Sequence, residues 1–449
     1  MIKKEKSQDT YFKVFKYRIY PNQETKEKFD LIGKQCRLVY NYFLEERIEK
    51  HKNKEPIPSD YDQTTELLRI RRDDLKLKKI HSHILTNVIL LQLADAWRTF
   101  RKKIKKDPDT PYPRLKEEYR WGNQWGSFGY SQIKSDIKMK AEQGKLILGT
   151  GRNESRMTVD INLHRPWEGN IKKASVIWKN HKYYALLVCE SKLNPLPPVN
   201  KKIGVKLGLV SWCATSDGDI YQRESIDRYE KDEKELIKAQ KRWLRKRKGS
   251  KNWDECRIIF ENKWEKLVNR RRHEIYQIVN KIVKNYDGIA HDKFKIIELI
   301  KNKPWFAKKI MNASWWTFTK ILAEKAQEAG REIITVPRSF ISQECSICGA
   351  ERKVNYAPHK EYRTFRCSDC NSQIDWDVNA ARNILKRAEW QGTSLWGAVP
   401  TKGAVLNQEV LANSSRVVLA NALTNIQSDH THTHTHTHKK EIKEELNKI

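Results

Sequence analysis

The sequence predicts a multidomain α/β protein that also contains a small β-barrel, and three observations predict it. Residues 11–20 (YFKVFKYRIY) alternate apolar or aromatic with basic side chains, the period of a half-buried strand. A second strand-rich region follows between residues 140 and 195. Beyond it, short strands alternate with long helical stretches up to residue 390. The chain has 449 residues, enough for two or three domains with cores of their own.

Along the chain, Pro21 and Asn22 open a helix on which Phe29, Ile32, Cys36, Val39, Tyr40 and Phe43 share one face. A long helix is expected near 82–104, ended by Pro108, Pro111 and Pro113. An aromatic and glycine-rich stretch covers Arg120 to Gln132. Met157, Val159, Ile161 and Leu163 then alternate with polar residues, and strands are expected at 171–178 and 182–190 around a turn at Glu168-Gly169-Asn170. Pro195, Pro197 and Pro198 read as a linker. Residues 203–222 read as two strands joined by the turn Ser216-Asp217-Gly218. A basic helical hairpin follows at 228–285, with Ile275, Val279, Ile282 and Val283 as its buried stripe, and a strand at 288–291. Ser314 is placed to cap a helix that Gly330 ends, a strand runs over 332–336, and a last helix begins near Asp377. Residues 391–449, with the run HTHTHTHTH at 430–438, read as a partly disordered or docking tail.

Lysine and arginine number 88 against 56 acidic residues, a net charge of +32. That balance favours a polyanion as partner, nucleic acid first. No apolar run approaches the length of a spanning helix, and MIKKEKSQDTYFKVFK lacks the apolar stretch of a signal peptide. A cytoplasmic protein with reduced thiols, away from membranes, is expected. Of eight cysteines, four cluster as Cys345-x-x-Cys348 and Cys367-x-x-Cys370, a spacing that offers four thiolates to one tetrahedral zinc. Four thiolates leave no open position for water, so such a zinc is structural.

IGVKLGLV, ATSDG, KRWLRKRKGSKN, REIITVPRSFISQECSICG and DWDVNAARNIL, in that order, resemble the transposon-encoded TnpB proteins and the miniature type V-F CRISPR effectors. FKYRIYPNQETKEKFDLIGKQCRLVYNYFL and INLHRPWEGNIKKASVIWKNHKYYALLVCES match as well, so the resemblance covers residues 11–390 and leaves out the tail. It implies a wedge β-barrel from residues 1–20 and 140–199 and a helical recognition region at 21–139. It implies an RNase H-like RuvC domain at 200–390 carrying a zinc ribbon at 340–373. Guide RNA and target double-stranded DNA are the implied partners, with base pairing reading the sequence. Monomer and homodimer on one guide are both open.

RuvC-type cleavage uses divalent metals, about 4 Å apart when there are two, held by acidic residues. The first family acid lies in a strand reading G-I-D-L-G; here the stretch is Gly204-Val205-Lys206-Leu207-Gly208. The second, a glutamate, corresponds to Asp292, one methylene shorter, and the third to Asp377. Lys206 removes an oxygen ligand and brings an ammonium to a place meant for cations, so magnesium is not expected to support cleavage. Asp217 and Asp219 lie past the strand and do not replace the missing acid. A degenerate nuclease that binds DNA without cutting is therefore expected, regulating transcription by repression or by recruiting RNA polymerase through a sigma factor. The alternatives are an active endonuclease with an atypical metal site and a transposon accessory RNA-binding protein.

For nucleic-acid binding, the basic run offers Lys241, Arg242, Arg245, Lys246, Arg247, Lys248 and Lys251, with Arg270 and Arg271 on the same stripe. Trp125, Phe128 and Tyr130 are candidates for stacking on bases, and Gln132 for reading an adenine edge.

Overall fold

The computed structural model describes residues 10–116, 127–131, 137–151, 155–209, 211–222, 226–293, 296, 299–300, 307–351 and 363–388. The chain forms two compact units, divided after Lys192.

In the first unit, β1 (Thr10–Tyr20) leads into α1 (Gln23–Lys52), where the Asn22 side chain accepts from the Thr25 amide at 2.9 Å. α2 (Asp60–Asp73) and α3 (Leu75–Lys78) follow. α4 (Ser82–Asn87) continues through a π-helical turn at Val88–Leu93 into α5 (Ala94–Ile104), the long helix expected there. The remaining elements are β2 (Ser127–Tyr130), β3 (Ile137–Lys140), β4 (Lys145–Leu148), β5 (Met157–Asn162), β6 (Asn170–Lys179) and β7 (Lys182–Lys192).

These strands form one seven-stranded antiparallel sheet in the order β2-β6-β7-β1-β5-β4-β3, nearly closed, with β2 and β3 at its edges. β1 is central because its length lets it pair with β7 over most of its course and with β5 at its end. Its alternation works as read: Phe15, Tyr17 and Ile19 are buried, alongside Met157, Val159 and Ile161 of β5 and Ala185, Leu187 and Cys189 of β7. Phe29 of α1 packs against Phe128 and Tyr183 with ring centroids 5.5 and 5.7 Å away. Residues 127–130 and 137–140 thus pair into this sheet, whereas 21–139 was assigned to the helical region. The two four-residue strands there are too short to announce themselves by period.

The second unit starts with β8 (Lys202–Leu207), β9 (Cys213–Thr215) and β10 (Ile220–Tyr221). Three strands stand where two were read, because the chain reverses at Gly208–Trp212 before the turn at 216–219. The hairpin of α6 (Ile226–Leu244) and α7 (Lys251–Asn285) comes next, with Ile275, Val279, Ile282 and Val283 buried as expected. β11 (Gly288–Asp292), α8 (Ala307–Ala313), α9 (Trp315–Ala329) and β12 (Glu332–Val336) follow. β13 (Thr364–Arg366), β14 (Gln373–Asp375) and α10 (Trp376–Arg387) end the described chain. Gly330 ends α9 at φ +67°, as read, but Ser314 does not cap it: its hydroxyl bonds the Asn312 carbonyl.

The sheet order is β10-β9-β8-β11-β12, with β8, β11 and β12 mutually parallel and β9 and β10 antiparallel. This is the RNase H-like arrangement. α10 crosses β8 at Gly204, where a Cβ would fall 2.0 Å from the Ala381 carbonyl oxygen and 2.9 Å from the Leu385 nitrogen. The glycine therefore sets how closely the helix lies on the strand. Among the described residues, no helix is long and apolar enough to cross a membrane.

Gly204→Ala should force α10 off β8, since the obstructing atoms are backbone. The expected loss is about 1–3 kcal/mol or more of stability, read as a lower urea midpoint with an unchanged m-value.

Candidate functional site

β8 and β11 run parallel in register, Ala290 opposite Gly204 and His291 opposite Val205. The next residue on each strand, Lys206 and Asp292, lies at the carboxyl end of the sheet, where open α/β folds place their ligands. Lys206 Nζ donates to Asp292 Oδ2 at 2.8 Å and to the Leu207 carbonyl at 3.2 Å. Asp292 is fully buried and Lys206 is 5% exposed. At that distance the interaction is charge-assisted. Burial pulls the Lys206 ammonium below the ordinary lysine range; Asp292 opposes this, Arg338 reinforces it, and Asp377 opposes it again. Burial, aided by the Asp292 carboxylate, also pushes the neighbouring Cys213 thiol up.

Asp377 stands on the first turn of α10, where the Asp375 carboxylate accepts from the amides of Asp377 (2.9 Å) and Val378 (3.2 Å). Its Oδ1 faces Gly208. The three positions read from the sequence, Lys206, Asp292 and Asp377, therefore converge. Two cations not anticipated complete the group. Arg338 Nε lies 3.7 Å from Asp292 Oδ2, and Arg363 lies 3.4 Å from Asp375 and 3.7 Å from Asp377. The one signal for Arg338 was its place two residues past the end of β12. A divalent metal held by acidic oxygens does not fit this arrangement, because an ammonium already occupies the inner face of Asp292. Asp217 and Asp219 sit at the opposite end of the sheet, accepting from Tyr286 (2.7 Å) and Lys281 (3.1 Å).

Cys345, Cys348, Cys367 and Cys370 come together with their Sγ atoms within 4.8 Å of one another. Cys345–Cys370 is 3.7 Å and Cys348–Cys367 is 3.5 Å. Zinc–sulfur bonds of about 2.3 Å place the corners of a tetrahedron at nearly that separation. Burial pushes the Cys345 thiol up, but the amides of Cys348 and Ile347 and the Ser372 hydroxyl bring it down to about 6. The donor set thus fits a tetrathiolate metal. The knuckle is tied to α10: Asn379 accepts from the Ser346 amide at 2.8 Å and donates to the Glu344 carbonyl at 2.8 Å, and Asn383 donates to Ile341 and Glu344.

The nucleic-acid candidates divide. Lys241, Arg242, Arg245, Lys246, Arg247, Lys248 and Lys251 are all exposed at the tip of the α6–α7 hairpin. Arg270 and Arg271 are not on that surface. They pair with Asp232 and Glu233 of α6, Arg271 at 3.0 Å and 9% exposed, so they hold the hairpin together. Phe128 and Tyr130 are 1% and 2% exposed. Their rings fill the first unit's core and cannot stack on bases, and the Tyr130 hydroxyl donates to the Gly149 carbonyl at 3.0 Å. Ser127–Tyr130, within that aromatic stretch, is a strand whose inward residues are large. Trp125, Gln132 and the histidine run at 430–438 lie outside the described residues.

Lys206→Ala should cost about 3–5 kcal/mol, since it withdraws the ammonium from a wholly buried carboxylate. Lys206→Met combined with Asp292→Leu should cost far less; thermal melting of the two variants makes the comparison.

Three family models match the chain: a helix-turn-helix model of the OrfB_IS605 group over residues 12–55, the OrfB_IS605 transposase model over 185–303, and the Cas12f1-like TNB domain over 315–384. The first of these covers β1 and α1. A relative in Escherichia coli named as an RNA-guided DNA endonuclease, InsQ, is 24% identical over 88% of this chain and 96% of that protein. Another with that name, from Streptomyces pristinaespiralis, is 26% identical over 83% of this chain and 88% of its own. The Cas12f1 endodeoxyribonuclease of Sulfoacidibacillus thermotolerans is 31% identical, over 17% of each. The fold is that of Cas12f1 as seen in its complex with guide RNA and target DNA, at a TM-score of 0.54 and 16% identity over 84% of this chain and 98% of the other. With its zinc-ribbon cysteines and its RNase H-like sheet, the chain is similar in sequence and fold to the TnpB and Cas12f1-like proteins.

Proposed function

We propose that this protein binds double-stranded DNA under the direction of a guide RNA and does not cut it. The observation that carries this is the 2.8 Å ion pair between Lys206 and Asp292, buried where cleavage would need metal-bound oxygen. An ammonium there matches a metal's charge in part but cannot lower the pKa of a water or bridge a phosphate to it. What is left is recognition. The exposed cations from Lys241 to Lys251 hold phosphates without reading bases, and pairing between guide and target supplies the sequence. A bound, uncut complex over a promoter controls transcription, by blocking RNA polymerase or by recruiting it through a sigma factor. The four cysteines hold a structural zinc, and no magnesium-dependent step is assigned to the chain.

A second reading, an active endonuclease with an unusual metal site, is favoured by the names of the near full-length relatives. Plasmid cleavage and gel-shift on one target, with the native guide and magnesium, separate the two. A guide-dependent shift with no nick is expected; guided cutting would remove the first reading.

Neutralising Lys246, Arg247 and Lys248 together should flatten the salt dependence of DNA binding, by roughly 0.9 in log–log slope for each phosphate no longer neutralised. Cys367→Ser should abolish the single bound zinc, measured by metal analysis, and lower the melting temperature, because the knuckle then no longer fixes Asn379 and Asn383.

A further inference from the structure

The site's resistance to metal is not the work of Lys206 alone. Around it stand three carboxylates, and the structure supplies three cations. Asp292 is reached by Lys206 at 2.8 Å and by Arg338 at 3.7 Å, both on the same oxygen, Oδ2. Asp375 and Asp377 share Arg363, at 3.4 and 3.7 Å. The cations come from separate parts of the chain: β8, the segment after β12, and the segment before β13. Arg338, its side chain 39% exposed, also lies with its guanidinium 5.9 Å from the ring of Trp315, whose indole donates to the Gly208 carbonyl at 3.3 Å. Trp315 itself is buried, 3% exposed.

A divalent cation at the ends of β8 and β11 would need oxygen from Asp292 and Asp377 together. Restoring an acid at position 206 returns one ligand. It leaves Arg338 a few ångströms from the Asp292 oxygen that would have to turn to the metal, and a guanidinium does not give up its charge. From this we infer that Arg338 is a second built-in counter-ion of the degenerate site and that it, together with Lys206, excludes divalent metal. The inference rests on the reading of the site as non-cleaving, and extends it. The loss of metal binding is spread over two positions in separate parts of the chain, so a single reversion does not undo it.

The test is Mn²⁺ binding to the full-length, zinc-loaded protein without guide, followed by the free-Mn²⁺ EPR signal. Wild type should show no site of sub-millimolar affinity. Lys206→Asp should gain at most a weak one. Lys206→Asp with Arg338→Gln should bind at least tenfold more tightly than Lys206→Asp. Two variants control for charge and shape. Lys206→Asp with Arg338→Lys keeps the cation and should stay within twofold of Lys206→Asp. Lys206→Asp with Arg387→Gln removes a positive charge from the far end of α10, where Arg387 bonds Ser339 and Glu344, and should also show no gain. Should Arg338→Gln not fold in that background, Arg338→Met replaces it, and zinc content and melting certify the fold. Equal affinity for Lys206→Asp with and without Arg338→Gln overturns the role of Arg338 and leaves the proposed function standing. A Mn²⁺ site in wild type that is lost in Asp292→Asn overturns both.

Discussion

Burying a carboxylate with no exposed surface is costly unless charged or hydrogen-bonding partners meet it, and Asp292 is such a carboxylate. Its answer, the Lys206 ammonium, comes from the neighbouring parallel strand. The two side chains can meet at 2.8 Å only while β8 and β11 keep their register, Ala290 opposite Gly204 and His291 opposite Val205. A slip of one residue would turn Lys206 to the other face of the sheet and leave both charges buried apart. The ion pair thus depends on strand register in the second unit. The same interaction sets an ammonium at the carboxyl end of the sheet.

Much of this was legible in the sequence, for identifiable reasons. β1, β5 and α1 have clean periods, and Asn22 caps as its type suggests. The flanking glycines fixed Lys206 at the first acidic position, and Gly204 proves to be the point where α10 crosses the strand. What failed was what periodicity does not carry. Phe128 and Tyr130 sit in a strand of four residues, too short to show which face is inward, so large aromatic rings in a glycine-rich setting read as binding groups when they are core. Arg270 and Arg271 lie on a helix whose partner helix presents Asp232 and Glu233. A charge run reads as solvated until the helix opposite is known. Arg338 was missed because its partner Asp292 is far away in the chain, and Arg363 because Asp375 and Asp377 lie across the second CxxC knuckle, where no helical or strand period links them.

The zinc ribbon and the Lys206, Asp292 and Asp377 group are parts of one piece of structure. β13 and β14 form a hairpin that carries the second CxxC knuckle and leads into α10, with Phe365 opposite Ile374. β14 ends at Asp375, whose carboxylate caps α10, and the Trp376 amide bonds back to the Arg363 carbonyl at 2.7 Å. The helix then sends Asn379 and Asn383 to the first knuckle while Ala381 rests on Gly204. Asp377 is held between these anchors. Its position near Lys206 is set jointly by the cysteine cluster, the hairpin and the strand crossing.

That dependence means that contacts of the protein's own hold the strand ends and α10 together around Lys206, Asp292 and Asp377. In an active site the metal itself helps gather the carboxylates, so losing the metal would let like charges push the strands and helix apart. Here each carboxylate near the site has a cation of the protein's own, and the helix bearing Asp377 is fastened by hydrogen bonds remote from it. The ends of β8 and β11 can therefore hold their shape without a divalent metal bound between them. On the proposed reading, a scaffold that keeps its sheet, its cysteine hairpin and its basic hairpin tip around an internal salt bridge is suited to staying on DNA rather than severing it.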